Sequence, residues 1–215
     1  MTLNISEIFY SIQGESSFAG RPCVFVRLAG CNLDCAYCDT RYARDGGETA
    51  ETAEVLDRVE AYRCPLVEIT GGEPLLQEET PVLVSRLLSR GFRVLLETNG
   101  SLDIGRVDTR CARIVDVKCP SSGQAHMNDM ENLKRLTRGD EVKFVIGDRE
   151  DYEYAKRVLA AGNIPPAEEC PVHFSPVFGR MPPRRLAGWI LEDRLDARLH
   201  LQLHKFIWDP GERGV

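Results

Sequence analysis

Short, β-branched apolar runs alternate along this chain with longer stretches whose apolar residues recur at helical intervals. "CVFVRLAG" (23–30) predicts a strand, and "TAETAEVLDRVEAY" (49–62) predicts a helix with Val55, Val59 and Tyr62 on one face and Thr49 and Thr52 as candidate caps. "LVEITGGEP" (66–74) reads as a buried strand halted by Gly71, Gly72 and Pro74. "TPVLVSRLLSRG" (80–91) reads as a helix with Pro81 in its first turn and Gly91 at its end, and "FRVLLETNG" (92–100) as the next strand. The alternation of strand and helix continues through 112–120, 130–139, 140–147, 148–162, 170–177, 182–194 and 197–206. Only 41–48, 121–129 and the C-terminal end are loop-rich, and there is no internal repeat, low-complexity stretch or linker.

Such alternation implies a parallel sheet, because a parallel strand is re-entered through a crossover, usually helical and right-handed. About six units are too few for a closed eight-stranded barrel. The expected fold class is therefore α/β: a partial, open, TIM-like (β/α) barrel of about six parallel strands, in preference to a flat doubly wound sheet. Strands in such folds end on one face, which carries the site. Here they end in "GCNLDCAYCDT", "TGGEP", "ETNG" and "DVKCPSSG", so these segments are expected to meet in space.

Composition narrows the function. A chain of 215 residues with 43% hydrophobic content suits a single domain spanning 1–215. No apolar run reaches membrane-spanning length, and "MTLNISEIFYSIQGE" lacks the basic and apolar regions of a signal peptide, so the expected location is the cytoplasm, with no membrane partner. A net charge of −6 argues against direct nucleic-acid binding while leaving room for a local basic pocket.

Of the eight cysteines, five are scattered and read as small buried apolar residues, whereas Cys31, Cys35 and Cys38 fall within one polar loop. Structural zinc wants four ligands, usually from two paired motifs. No second C-x-x-C exists, and none of His126, His173, His200 or His204 has a spacing that marks it as a fourth ligand. A cluster of four irons takes one thiolate per iron, so three thiolates leave one iron open for chemistry.

The spacing C-x3-C-x2-C, with Tyr37 before the last cysteine and "TGGEP" one helix later, resembles the radical S-adenosylmethionine (SAM) superfamily. The resemblance implies a [4Fe–4S] cluster on Cys31, Cys35 and Cys38 whose open iron chelates SAM. It also implies that Tyr37, with Cys38 and Asp39, lies along the adenine, and that Gly71 and Gly72 let backbone approach the methionine amino group, with Glu73 nearby. Lys118, Pro120, Ser121 and Ser175 are further expected SAM contacts.

"EIFYSIQGES" (7–16), "GRPCVFVRLAGCNLDCAYCDT" (20–40), "DVKCPSSG" (116–123), "DEVKFVI" (140–146) and "LQLHKFIW" (201–208) together closely resemble the 7-carboxy-7-deazaguanine synthase family. That family contracts the ring of 6-carboxy-5,6,7,8-tetrahydropterin with loss of ammonia, on the way to queuosine and other deazapurines. The likeness implies Mg2+ at Thr40, a homodimer, and a reductase or flavodoxin-type electron donor. For the pterin it implies contacts from Ile12, Gln13, Gly14 and Thr70, with Glu15 and Arg27 in catalytic positions. Arg27 also stands out physically, since its fork suits a carboxylate and its strand is otherwise apolar. Two alternatives stay open at this point: a radical SAM activating enzyme that generates a glycyl radical on a partner protein, and a non-catalytic zinc or electron-transfer module.

Overall fold

The computed structural model describes residues 2–215. Nine strands form one sheet: β1 (Thr2–Ile12), β2 (Pro22–Leu28), β3 (Glu48–Glu51), β4 (Leu66–Gly71), β5 (Arg93–Thr98), β6 (Ala112–Asp116), β7 (Glu141–Ile146), β8 (Val172–Pro176) and β9 (Arg198–Leu199), in the order β3-β1-β2-β4-β5-β6-β7-β8-β9. From β2 through β4 to β9 every neighbouring pair is parallel, while β1 is antiparallel to both β2 and β3. β3 and β9 are the two ends of the order and do not pair with each other, so the sheet is an open, partial barrel. The expected set of parallel strands is present as β2 and β4 to β8, and the two-residue β9 extends it.

Helices α1 (Thr52–Ala61), α2 (Thr80–Ser89), α3 (Arg149–Ala160) and α4 (Pro183–Glu192) follow β3, β4, β7 and β8, and a short α5 (His204–Ile207) lies near the C-terminus. Their buried stripes are Val55, Leu56 and Val59; Leu83, Val84 and Leu87; Tyr152, Ala155 and Val158; and Leu186 and Ile190. These join the apolar strand residues Val24, Val26, Val67, Ile69, Val94, Leu96, Val115, Val142, Phe144 and Phe174 in one core. Side chains alternate across a strand, so the other face carries the residues between them. The parallel register aligns those residues from strand to strand: Arg27 with Thr70, Phe25 with Glu68, Glu97 with Ile114, Asp116 with Lys143, and Lys143 with His173. One face of the sheet is thus oil under helices, and the other is a polar, charged concavity.

Three expected elements differ. The helix expected over 49–62 begins at Thr52, because Glu48–Glu51 is a strand that pairs with Thr2–Ile5 of β1; Thr49 therefore caps nothing, and Glu51 occupies the N-cap without a side-chain bond. The segment 130–139 is a 3-10 turn over Met130–Arg135. It is pinned by buried Asn132, which donates to Gly100 O and Leu102 O and accepts from Ile104 N–H. Of 197–206, only Arg198–Leu199 joins the sheet; the chain then turns away so that Leu203 N–H donates to Gly14 O at 2.9 Å and α5 docks on the Gln13–Glu15 turn.

Candidate functional site

The C-terminal ends of the strands open into one cavity of ≈ 680 Å³. The cysteine loop follows β2 and is tied down on three sides. Gly30 N–H donates to Ala43 O (2.8 Å), Glu73 N–H to Gly30 O (2.8 Å) and Ala36 N–H to Ser122 O (3.0 Å). Cys31, Cys35 and Cys38 line the cavity and are free thiols, whereas Cys23, Cys64, Cys111, Cys119 and Cys170 are buried elsewhere.

Of the expected site residues, Ile12, Gln13, Gly14, Glu15, Arg27, Tyr37, Asp39, Thr40, Thr70, Gly71, Gly72 and Lys118 line the same cavity as the cysteines. Glu73, Pro120, Ser121 and Ser175 do not. Glu73 is fully buried and turned inward: it accepts from Leu75 N–H (2.9 Å), Thr98 Oγ1 (2.8 Å) and Asn99 N–H (2.7 Å), clamping "TGGEP" to "ETNG". Burial raises its pKa despite those bonds. Ser121 is spent on Asp151, through its N–H at 2.8 Å and its hydroxyl. Ser175 is covered within β8. The glycines also meet a steric demand from the chain itself. A Cβ on Gly72 would lie 2.6 Å from Cys31 Cβ, and one on Gly71 would lie 2.9 Å from Leu28 N, so what needs their bareness is the β2 end and the cysteine loop itself.

The same cavity also gathers Glu68, Glu97 and Lys143, charges not expected there from the sequence. Lys143 bridges Glu15 and Glu97, with its Nζ 2.7 Å from Glu97 Oε1. Burial would raise the pKa of Glu15, but the Lys143 ammonium holds it well below the usual carboxylate range. Glu68, which accepts from the Gln13 amide, is pushed well up by burial and by the neighbouring Glu97 and Glu15. Gln202 donates to Glu15 at 2.9 Å, and Lys205 pairs with Asp39. His204 stands against Gly14, where an added Cβ would strike its imidazole, and burial lowers its pKa. Glu68, Glu97 and Lys143 interrupt apolar strand segments just as Arg27 does, and that signal could have found them. Gln202 and His204 carry no such mark.

Arg27 donates from Nε to Glu7 Oε1 at 2.7 Å, and Tyr42 donates to the same oxygen at 2.7 Å. Arg27 and residues 210–215 line the same cavity, with Arg213 stacked 3.9 Å over the Tyr42 ring.

The sequence pattern of the radical SAM superfamily matches residues 26–161. Over 216 residues the chain is 51% identical to the 7-carboxy-7-deazaguanine synthase of Chlorobaculum tepidum, covering 99% of this chain and 97% of that protein. The chain belongs to the 7-carboxy-7-deazaguanine synthase family of radical SAM proteins. A second family member, from Koribacter versatilis, is 45% identical over 227 residues, covering 99% of this chain and all of that protein. The crystal structure of QueE from Escherichia coli superposes with a TM-score of 0.79 at 24% identity, covering 95% of both chains, and supports the fold.

Membership of the superfamily implies a [4Fe–4S] cluster and SAM, and the donor set fits. Three free thiols, Cys31, Cys35 and Cys38, line one cavity. That arrangement suits one thiolate per iron of a cluster and leaves a position for SAM. Tyr37 beside them has a buried hydroxyl without a partner.

Proposed function

We propose that this chain is a 7-carboxy-7-deazaguanine synthase, a lyase that converts 6-carboxy-5,6,7,8-tetrahydropterin to 7-carboxy-7-deazaguanine with loss of ammonia. The observation that carries the proposal is that one cavity is lined both by the cysteine loop and by Gln13, Glu15 and Arg27. When bound, cluster and SAM supply the 5′-deoxyadenosyl radical that takes hydrogen from C6 of the substrate.

The protein's own groups do the rest. The Ile12–Gly14 backbone and Thr70 meet the guanine-like edge of the pterin, and Arg27 receives its carboxylate. Lys143, held charged between Glu15 and Glu97, balances the carboxylates beside the substrate. Thr40, whose Oγ1 lies 3.8 Å from Cys38 Sγ, supplies a hydroxyl for Mg2+, an ion that typically keeps several waters and few protein ligands.

We further propose one domain over 1–215, cytoplasmic and homodimeric, reduced by a flavodoxin-type protein or its reductase; exposed Leu191, Phe206 and Ile207 offer apolar surface for a second copy. No helix among the described residues is long and apolar enough to cross a membrane. The activating-enzyme alternative finds no support, since the full-length relatives are 7-carboxy-7-deazaguanine synthases.

The test is an anaerobic assay of reconstituted protein with dithionite, SAM, Mg2+ and the carboxytetrahydropterin, read by mass. Formation of 7-carboxy-7-deazaguanine is the expected result. SAM cleaved to 5′-deoxyadenosine without that product would sink the substrate assignment.

A further inference from the structure

Asn99, in the "ETNG" segment that ends β5, is one residue that neither the substrate wall nor the SAM contacts account for. It is buried, and its backbone N–H is clamped by Glu73 at 2.7 Å. Its side-chain oxygen accepts from Ser101 N–H (3.0 Å) and Ser101 Oγ (2.6 Å). A backbone N–H can only donate, so the atom facing Ser101 is the oxygen and the amide orientation is determined.

That orientation aims Nδ2 at the cysteine loop. One N–H meets Asn32 Oδ1 at 3.0 Å, and the other faces Cys31 Sγ at 3.9 Å. Asn32 closes the ring by donating to Ser101 Oγ at 2.9 Å. The Asn99, Asn32 and Ser101 side chains thus form a closed hydrogen-bonded ring beside Cys31. Cys31 also receives the Leu33 N–H at 3.5 Å, so it is the loop sulfur with two donors upon it, while Cys38 faces the Thr40 hydroxyl at 3.8 Å.

We propose that Asn99 is a positioning residue that tunes the cluster, its amide N–H stabilising the Cys31 thiolate and raising the reduction potential of the iron–sulfur centre. One-electron reduction adds negative charge that spreads onto the ligating sulfurs, and a fixed N–H donor favours that reduced form. The inference rests on the cysteine loop holding a cluster, which is checked first by the iron and sulfide content of the reconstituted parent protein.

The experiment is an anaerobic redox titration of holoprotein without SAM, following the reduced cluster by electron paramagnetic resonance. Asn99→Leu keeps the size of the side chain and removes the donor. At a fixed potential its ratio of reduced to oxidised cluster should fall about tenfold, a shift of ~59 mV to lower potential for a one-electron couple. Asn99→Ala removes the same donor without adding bulk beside the loop and should shift the potential in the same direction. A parent protein lacking iron and sulfide would overturn the cluster itself. A parent with its cluster, and both variants titrating at the parental potential, would overturn the role of Asn99. If Asn99→Leu takes up no cluster, Asn99→Ala decides alone, and an unchanged potential there counts against the proposal.

Discussion

Arg27 and Glu7 stand directly opposite each other on antiparallel β2 and β1, and Arg27 Nε lies 2.7 Å from Glu7 Oε1. The pair turns a single cation on the sheet into an aimed one. With Nε occupied by Glu7, the rest of the fork is left for an incoming carboxylate. Arg27→Ala should weaken carboxypterin binding about 100-fold or more while iron and sulfide content stays parental. Glu7→Gln, which leaves the fork but loosens its aim, should cost less, about threefold to tenfold. Anaerobic calorimetry on both variants checks this ranking, and equal losses would remove orientation as the role of Glu7.

Lys143 is a buried ammonium among Glu15, Glu97 and Glu68. Removing it leaves carboxylates without a counter-charge, so Lys143→Met should destabilise the fold by about 3 to 5 kcal/mol. Adding Glu97→Gln to that variant should recover part of the loss, because one stranded charge is neutralised. Urea unfolding of the single and double variants measures both numbers; a double variant no better than the single would mean that Lys143 contributes packing and not charge balance.

Gly72→Ala should act on the cysteine loop before it acts on any ligand. Its Cβ would lie 2.6 Å from Cys31 Cβ, so the loop must move. Reduced iron and sulfide content after reconstitution is the expected outcome. Full cluster content with weakened SAM binding would restore the simpler view that the glycine makes room for SAM.

His200 is buried against His173, with ring centroids 5.0 Å apart. Burial first, then His173 and Lys143, lower its pKa from 6.5 to about 4, against the opposing charges of Glu15 and Glu141. Above pH 6.5 folded and unfolded chains both carry it neutral. As pH falls from 6.5 toward 4 the unfolded chain takes the proton and the folded chain does not, so stability drops, by roughly 3 kcal/mol across the window. His200→Gln should flatten this part of the stability profile measured by urea unfolding at stepped pH. Parallel profiles for the two proteins would assign the acid sensitivity to other groups.

Much of this architecture was legible because it is written in local terms. Strand and helix periods, the Gly and Pro stops, and three cysteines at C-x3-C-x2-C depend on neighbours a few residues away. Arg27 could be picked out because a charge in an apolar strand is a local anomaly. Glu68, Glu97 and Lys143 bear the same mark, yet what they do depends on register: only the parallel pairing of Asp116 with Lys143 and the wrapping of the Gln13–Glu15 turn over the sheet bring Lys143 between Glu15 and Glu97.

The chain's order of residues was enough for the alternating α/β pattern and for the location of the cluster loop, since both follow from short-range periodicity and spacing. Tertiary structure decided that Glu73 is a clamp and not a cavity group, that Ser121 serves Asp151, and that the segment 130–139 forgoes an α-helix so that Asn132 can bind Gly100 and Leu102. It also set Asn99 against Cys31, across 68 positions of chain. The physical reason is common to all of these: the partner that satisfies a buried polar group is chosen by distance in space, and that distance exists only once the sheet has closed its register.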